Sequence, residues 1–531
     1  MMFFMFLDEK TNYKEYNMKK VAALSLVAAT MAFASTADDI AHLQKQIDKL
    51  KAKQSKINAQ SANDNIKWGV DLRTSVDSIN YDMADGKSLE NNSLYSLRLW
   101  LNMAYAADDK NIFKGQLSMN KAFGADFGDM STNRAFGMGS MFDWTGNEAL
   151  SDNSLKVKEA FWLYLGDDAF GQGISWTFSI GRRPSTNGFL ANLSQDDRAQ
   201  SPLGHIINVE FDGLSSMLDL STLTGINGMS FKICVGQGST NAVPLFYNAT
   251  PYAENPDGLD DIKLGGFIFE PYNDGQFIVK TTWFRAFDLP GMDMDDKGEV
   301  LGFKQYGDMD GAAISVLVDG LTDDGYASDM KIFGSYAWSK TDPFEGEAML
   351  GSAESQTGSS YWVGAYLPVG EGNEYGKIGM EYNHGSQYWR PFTYAEDTMI
   401  GSKLAARGDA WELNYTYQIT KALSLQARYV NIDYDYTGSQ GFFGNTSGAA
   451  MKIDDVKEGA GMWSQLGGTS DPTSGETVYV NLAKMQGMNP ADPATQSALM
   501  PQVRQMGMAA AFLPNVVESA QDFRFYLRYR F

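Results

Sequence analysis

Three histidines and one cysteine are all the imidazole and thiol chemistry carried by 531 residues. His42, His205 and His384 lie too far apart in sequence to suggest a metal site, and the lone Cys234 rules out a disulfide framework or a cysteine-rich metal site. His384-Gly-Ser386 sets a base two residues from a hydroxyl nucleophile, a spacing that shares one face of a strand. Nothing nearby identifies the third group that would orient the imidazole. Asp293, Asp295 and Asp296 cluster but lack the Gly and Glu spacing of a calcium loop. No Gly-rich phosphate loop, nucleotide fingerprint or basic nucleic-acid patch occurs. No catalytic residue, metal or cofactor is therefore expected. What remains is the chemistry of fixed charge: arginines that recur at alternate positions in short apolar-polar runs.

The clearest such run is Phe523-Arg-Phe-Tyr-Leu-Arg-Tyr-Arg-Phe531. Phe523, Phe525, Leu527, Tyr529 and Phe531 take one face of a strand, and Arg524, Tyr526, Arg528 and Arg530 take the other. This pattern resembles the C-terminal signal of bacterial outer-membrane barrels, which end in Phe with apolar residues two, four, six and eight positions earlier. The resemblance implies that the barrel-assembly machinery reads these five residues and that this strand closes a barrel.

Composition agrees with strands. Aromatics make up 13%, with 53 Gly and 15 Pro. A mean hydropathy of −0.30 looks soluble, but membrane barrels do too, because alternate residues alone meet lipid. No run of 18 apolar residues exists beyond the N-terminal region, which excludes a helical membrane protein. Met18-Lys-Lys, the apolar run Val21 to Phe33 and Ala32-Phe-Ala34 read as a secretory signal cleaved after Ala34. Residues 1–34 are thus an expected signal peptide, with 1–17 a misassigned translation start. Ile40, Leu43, Ile47, Leu50 and Ile57 fall on heptad positions, so 35–65 is expected to be a short periplasmic helix or coiled coil with a polar linker. Self-association through it admits a homo-trimer.

Residues 66–531 form the expected all-β barrel. Alternating runs fall near 66–81, 94–106, 112–122, 156–166, 174–183, 206–223, 229–237 and 262–270, then near 276–287, 310–319, 330–340, 359–369, 376–386, 409–419, 423–436 and 519–531. Short and long connections alternate, the long ones being 81–93, 123–155, 184–205, 238–261, 288–309, 341–358, 387–408 and 437–518. Sixteen antiparallel strands with short periplasmic turns and long external loops account for this. The plan resembles Gram-negative porins, and more narrowly an uncharacterised porin-like family with a signal peptide, a short coiled coil and a large barrel; phosphate-selective porins share it. Ile180-Gly-Arg-Arg-Pro-Ser-Thr-Asn-Gly188 is similar to a Gly-Arg motif ending an early strand in many porins. The resemblance implies a bacterial outer-membrane location, contact with lipid and lipopolysaccharide, and passage of small ions and solutes. It names no solute.

Alternation then assigns faces. Arg73, Arg98, Lys158, Arg183, Lys280, Arg428, Arg524, Arg528 and Arg530 are expected to line the pore, with Lys67 and Lys377, against the inward acids Asp71, Asp77, Glu381 and Glu412. The net charge of −22 then belongs mainly to loops and turns. A lumen so lined favours anions, unless these cations brace the wall in ion pairs. Asp196, Asp197 and Arg198 belong to a connection expected to fold inward as a constriction or to lie on the surface. The 437–518 excursion, with a helical run from Thr495 to Phe512, is expected to pack as a plug or a lid. The expected function is a porin for small hydrophilic solutes. The alternatives are an adhesin or partner-protein scaffold and, more remotely, a hydrolase, because His384-Gly-Ser386 resembles the His-x-Ser arrangement of outer-membrane phospholipases.

Overall fold

Alternation of apolar and polar side chains along the chain folds as sixteen antiparallel strands closed into a barrel. The computed structural model describes residues 66–125, 150–183, 185–243, 252–255, 259–294, 300–393, 398–445, 448–470 and 474–531. The expected signal peptide and coiled coil lie outside them. The strands are β1 (Lys67–Met83), β2 (Ser88–Ala106), β3 (Asn111–Ala122), β4 (Lys156–Ala169), β5 (Ile174–Arg183), β6 (Phe211–Asp219), β7 (Ser230–Gln237) and β8 (Lys263–Asn273). They continue as β9 (Phe277–Met294), β10 (Val300–Asp319), β11 (Lys331–Pro343), β12 (Thr357–Pro368), β13 (Lys377–Gly385), β14 (Gly408–Gln418), β15 (Leu423–Tyr434) and β16 (Val517–Arg530). Each pairs with its sequence neighbours, and β1 closes the ring on β16 in the register Thr74↔Leu527 and Asp77↔Arg524. A closed ring leaves no unpaired edge, which is what a sheet in hydrocarbon needs.

Each of the sixteen expected segments is a strand, but two of the expected connections and one expected strand differ in extent. The 81–93 and 288–309 stretches are largely not loops: β1 and β2 extend to a turn at 84–87, and β9 and β10 extend as arms to Met294 and from Val300. Both arms keep residues that pair well across a ladder, which sequence spacing could not separate from loop. The 206–223 segment shortens to Phe211–Asp219, because Ile206 to Val209 belong to a segment packed inside the barrel. At the opposite end the turns are tight, as at Asn273-Asp-Gly275, where Gly275 takes φ 93°.

The two faces separate cleanly. Tyr95, Ile233, Trp411 and Phe525 point outward and are exposed, while Ser96, Arg98, Glu412 and Arg524 point inward and are buried. No helix among the described residues is long and apolar enough to cross a membrane, which says nothing of a barrel. The interior is filled by returning connections. Leu203, Ile206, Trp389, Phe392, Phe442 and Phe443 pack against the inward wall residues Phe284, Met309 and Ala337. Two of these connections join in a short parallel ladder, Ile207↔Phe392 and Asn208↔Thr393.

The 437–518 excursion divides. Phe442 and Phe443 enter the barrel core, whereas α1 (Ile453–Gln465), α2 (Gly475–Met485) and α3 (Pro493–Phe512) pack on one another around Trp463, Leu482, Leu499 and Val503. Pro493 opens α3, and the Asp492 carboxylate caps it by accepting from the Ala494 amide. The helices join the β1–β2 turn through Ala84, Ile453, Val456 and Val516.

Candidate functional site

The connection from β5 to β6 crosses the lumen. Its first part folds back on itself in a short parallel pair, Gly188↔Gln200 and Phe189↔Leu203. Phe189, Leu190 and Leu193 pack on the inward faces of β10, β11 and β12 through Leu317, Phe333, Trp362 and Tyr366. Lys280 of β9 stands 4.9 Å over the Phe189 ring. Further along, His205 is buried between Trp362 and Trp389, with Nδ1 2.8 Å from Ser335 Oγ and Nε2 2.9 Å from Ser360 Oγ. Burial pushes this imidazole down to about 3, so it is neutral at physiological pH.

The tip of the segment reaches the other wall. Arg73 Nη1 donates to Gln195 Oε1 at 3.1 Å, Gln426 Nε2 donates to the Ser194 carbonyl at 2.8 Å, and Arg528 Nη1 donates to the Gln195 carbonyl at 2.6 Å. Asp197 Oδ1 lies 2.7 Å from both Arg528 and Arg530. Asp196, in the left-handed region at φ 55°, accepts from Lys377 at 2.6 Å. Asp is among the residues that tolerate this conformation best. Burial works to raise the Asp196 carboxyl, but the charges of Lys377, Arg530 and Arg528 outweigh it and hold it below the usual carboxylate range. Arg198 is exposed and makes none of these contacts.

The remaining inward cations are paired in groups along the wall. Arg528 Nε donates to Asp71 at 2.9 Å, Arg98 lies 3.9 Å from Asp71 and stacks on Trp100, and Lys158 lies 3.5 Å from Glu210. Arg524 pairs with Asp77 at 2.5 Å, Arg428 approaches Glu412 at 3.7 Å, and Lys280 meets Glu270 at 3.1 Å. Lys403, from the β13–β14 connection, bridges Glu381 at 2.7 Å and Glu412. Burial would lower its ammonium, but Glu381 and Glu412 more than offset that and hold it above the usual lysine value. Arg183 and Lys232 face a pocket between β5–β9 and the inserted segment.

Sequence reasoning missed several of these groups. Glu270 and Asp522 add to the four acids expected inside, so the wall is nearer charge balance than eleven against four. Lys232 was within reach, since it lies between the apolar Phe231 and Ile233, and Asp522 was too, since it precedes Phe523 of the outward row. Glu210 and Lys403 were not, because both sit on connections whose inward path no local pattern encodes.

On the outer face, Phe523, Phe525, Leu527 and Tyr529 form an exposed row, and the Phe531 main chain pairs with Val70 at 3.0 Å in both directions. His384 also faces outward, its Nδ1 2.8 Å from Asp409 Oδ1. Ser386 Oγ instead accepts from the Ser359 amide at 2.9 Å, and among the described residues it makes no bond to His384. The orienting acid is present, but the nucleophile is not engaged.

Residues 88–469, well over half of the chain, match the family model described as "Protein of unknown function (DUF3373)". The chain belongs to this family. No curated protein matches it. Among solved structures, this DUF3373 protein is similar to an anion-selective porin from Comamonas acidovorans, at 11% identity over 88% of this chain and 99% of that one, with a TM-score of 0.42. OmpF of Salmonella typhi in complex with daunomycin aligns at 10% identity over 88% and 99% of the two chains, TM-score 0.41. The outer membrane protein OmpT of Vibrio cholerae aligns at 12% identity over 88% and 97%, TM-score 0.40. Likeness at this level says nothing of what the DUF3373 barrel transports or binds.

Proposed function

We propose that this protein is a bacterial outer-membrane channel for passive diffusion of small hydrophilic solutes, with the β5–β6 connection as its constriction. The observation that carries the reading is the anchoring of that segment at both walls, by Phe189 and His205 on one side and by Gln195, Asp196 and Asp197 on the other. A segment pinned this way narrows a lumen and presents charged side chains to whatever passes. In this reading residues 1–34 are removed on export, 35–65 lie in the periplasm and admit a homo-trimer, and Phe523 to Phe531 are read by the barrel-assembly machinery. The outward apolar face meets lipid and lipopolysaccharide. Arg73, Arg98, Lys158, Arg183, Lys280, Arg428, Arg524, Arg528 and Arg530 line the wall. Because most of them stand in ion pairs, anion preference arises where a cation lacks a counter-charge, not from the count of basic residues. The work of the protein is passage, not catalysis.

A second reading, a barrel that scaffolds a partner, is favoured by the apolar filling of the interior around Trp389, Phe442 and Phe443. Planar-bilayer recordings of the purified full-length protein separate the two. Stepwise conductance with a reversal potential in a salt gradient supports the channel. A protein that inserts and stays silent over a range of voltages supports the scaffold.

A further inference from the structure

Arg183 at the end of β5 and Lys232 on β7 point into one pocket, walled by Phe211, Leu264 and Phe284 and lined also by Ser201 and Pro202 of the inserted segment. Lys232 Nζ donates to Ser201 Oγ at 2.7 Å. Among the described residues neither cation has a carboxylate within ion-pair distance, and Arg183 Nε is buried without a hydrogen-bond partner. Their neighbours differ in this respect: Arg182 meets Asp212 at 3.2 Å, Lys158 meets Glu210 at 3.5 Å and Lys280 meets Glu270 at 3.1 Å. Both cations are half-buried; Glu159 acts on Arg183 only from beyond ion-pair distance, so an anion entering the pocket would supply the close counter-charge that its neighbours already have. The rest of the surface asks for something different. Phe211, Leu264 and Phe284 are apolar and offer a charge no partner. Inorganic anions would gain nothing from that part of the lining.

We propose that this pocket binds organic anions that join a carboxylate to a compact apolar body. Arg183 and Lys232 take the carboxylate, and Phe211, Leu264 and Phe284 take the body. The proposal rests on the channel reading, since the site is reached through the lumen, and it names the class of solute that lingers there.

Cys234, the chain's sole cysteine, lines the same pocket and reports on its occupancy. The full-length protein in detergent is labelled with a neutral maleimide in the presence of benzoate, acetate or benzyltrimethylammonium at constant ionic strength. Benzoate at about ten times its Kd slows labelling about tenfold. Acetate lacks the apolar body and benzyltrimethylammonium the negative charge, so neither protects comparably. The double variant Arg183→Gln with Lys232→Gln loses the protection. Calorimetric titration with benzoate provides a second readout that does not depend on thiol reactivity, with binding heat in the native protein and none in the double variant. Equal protection by benzoate and benzyltrimethylammonium, or binding that survives in the double variant, overturns the proposal. The comparison of the three ions on the native protein decides the matter even where the double variant does not fold. Conductance without benzoate binding sinks the site and leaves the channel; benzoate binding in a silent barrel sinks the channel and leaves the site.

Discussion

Arg528 of the last strand holds Asp71 of the first strand and Asp197 of the inserted segment at the same time, with Nε 2.9 Å from Asp71 and Nη2 2.7 Å from Asp197. One guanidinium therefore ties the closing seam of the barrel to the element that crosses its lumen. Its planar fork suits two carboxylates in a way that an ammonium does not.

Asp197→Asn weakens the tip of the segment without touching the seam, because Asp71 keeps its bond to Arg528. The loss is about 1.5–3 kcal/mol, the usual range for a hydrogen bond to a charged group. Single-channel conductance rises in this variant while the barrel still migrates as a folded species in cold gel electrophoresis. Unchanged conductance would mean that the segment does not form the constriction.

Neutralising the wall acts on stability before it acts on selectivity. Arg524 and Asp77 are both fully buried. Arg524→Gln leaves the Asp77 carboxylate without its charge partner, at a cost of about 3–5 kcal/mol. Arg530 is 45% exposed at its pair with Asp197, and Arg530→Gln costs about 1 kcal/mol or less. Denaturant midpoints of the heat-modifiable barrel check the order. Equal midpoints for the two variants would show that the buried pair is open to water.

Acid releases the constriction at Asp196. The folded protein holds this carboxyl below 3.8 through Lys377, Arg530 and Arg528, against the opposing effect of burial. A depressed carboxyl contributes stability that is fully present above its unfolded value and is lost as pH falls through the folded one. Conductance is therefore flat from neutral pH down to the ordinary carboxylate range of about 4 and changes below it. Asp196→Asn removes that step. A transition near neutrality would point to a different group, and His205 is not it, being neutral down to about 3.

Phe531→Ala tests the assembly signal. The ring is 67% exposed, whereas the main chain keeps both seam bonds to Val70. Burial of one such side chain is worth about 1.5–3 kcal/mol at most. Membrane insertion in cells falls more than the melting temperature of the protein that does insert. A proportionate fall in both would leave the residue a packing role alone.

The barrel was legible in the chain because strand alternation is local. Leu97, Leu99 and Leu101 against Ser96, Arg98 and Trp100 declare their faces within six residues, and the count of sixteen needed only the recurrence of that pattern. Arm lengths were less legible, since the β9 and β10 extensions carry Asp and Gly that pair in a ladder as readily as they form a loop.

The sequence alone determined the inward face of strands such as β2 and β14, though not Lys232, Glu270 or Asp522, together with the closure by Phe523 to Phe531 and the helical run that became α3. Only the tertiary structure decided which inward cations are neutralised. Asp197 meets Arg528 across 331 positions of chain, and Asp77 meets Arg524 across 447. Such pairings depend on barrel closure and on where a returning connection travels, and neither leaves a periodic trace. That is why Arg528 and Arg183, alike in sequence as inward arginines at strand ends, differ in the fold: one is saturated by two carboxylates, and the other faces a pocket without one.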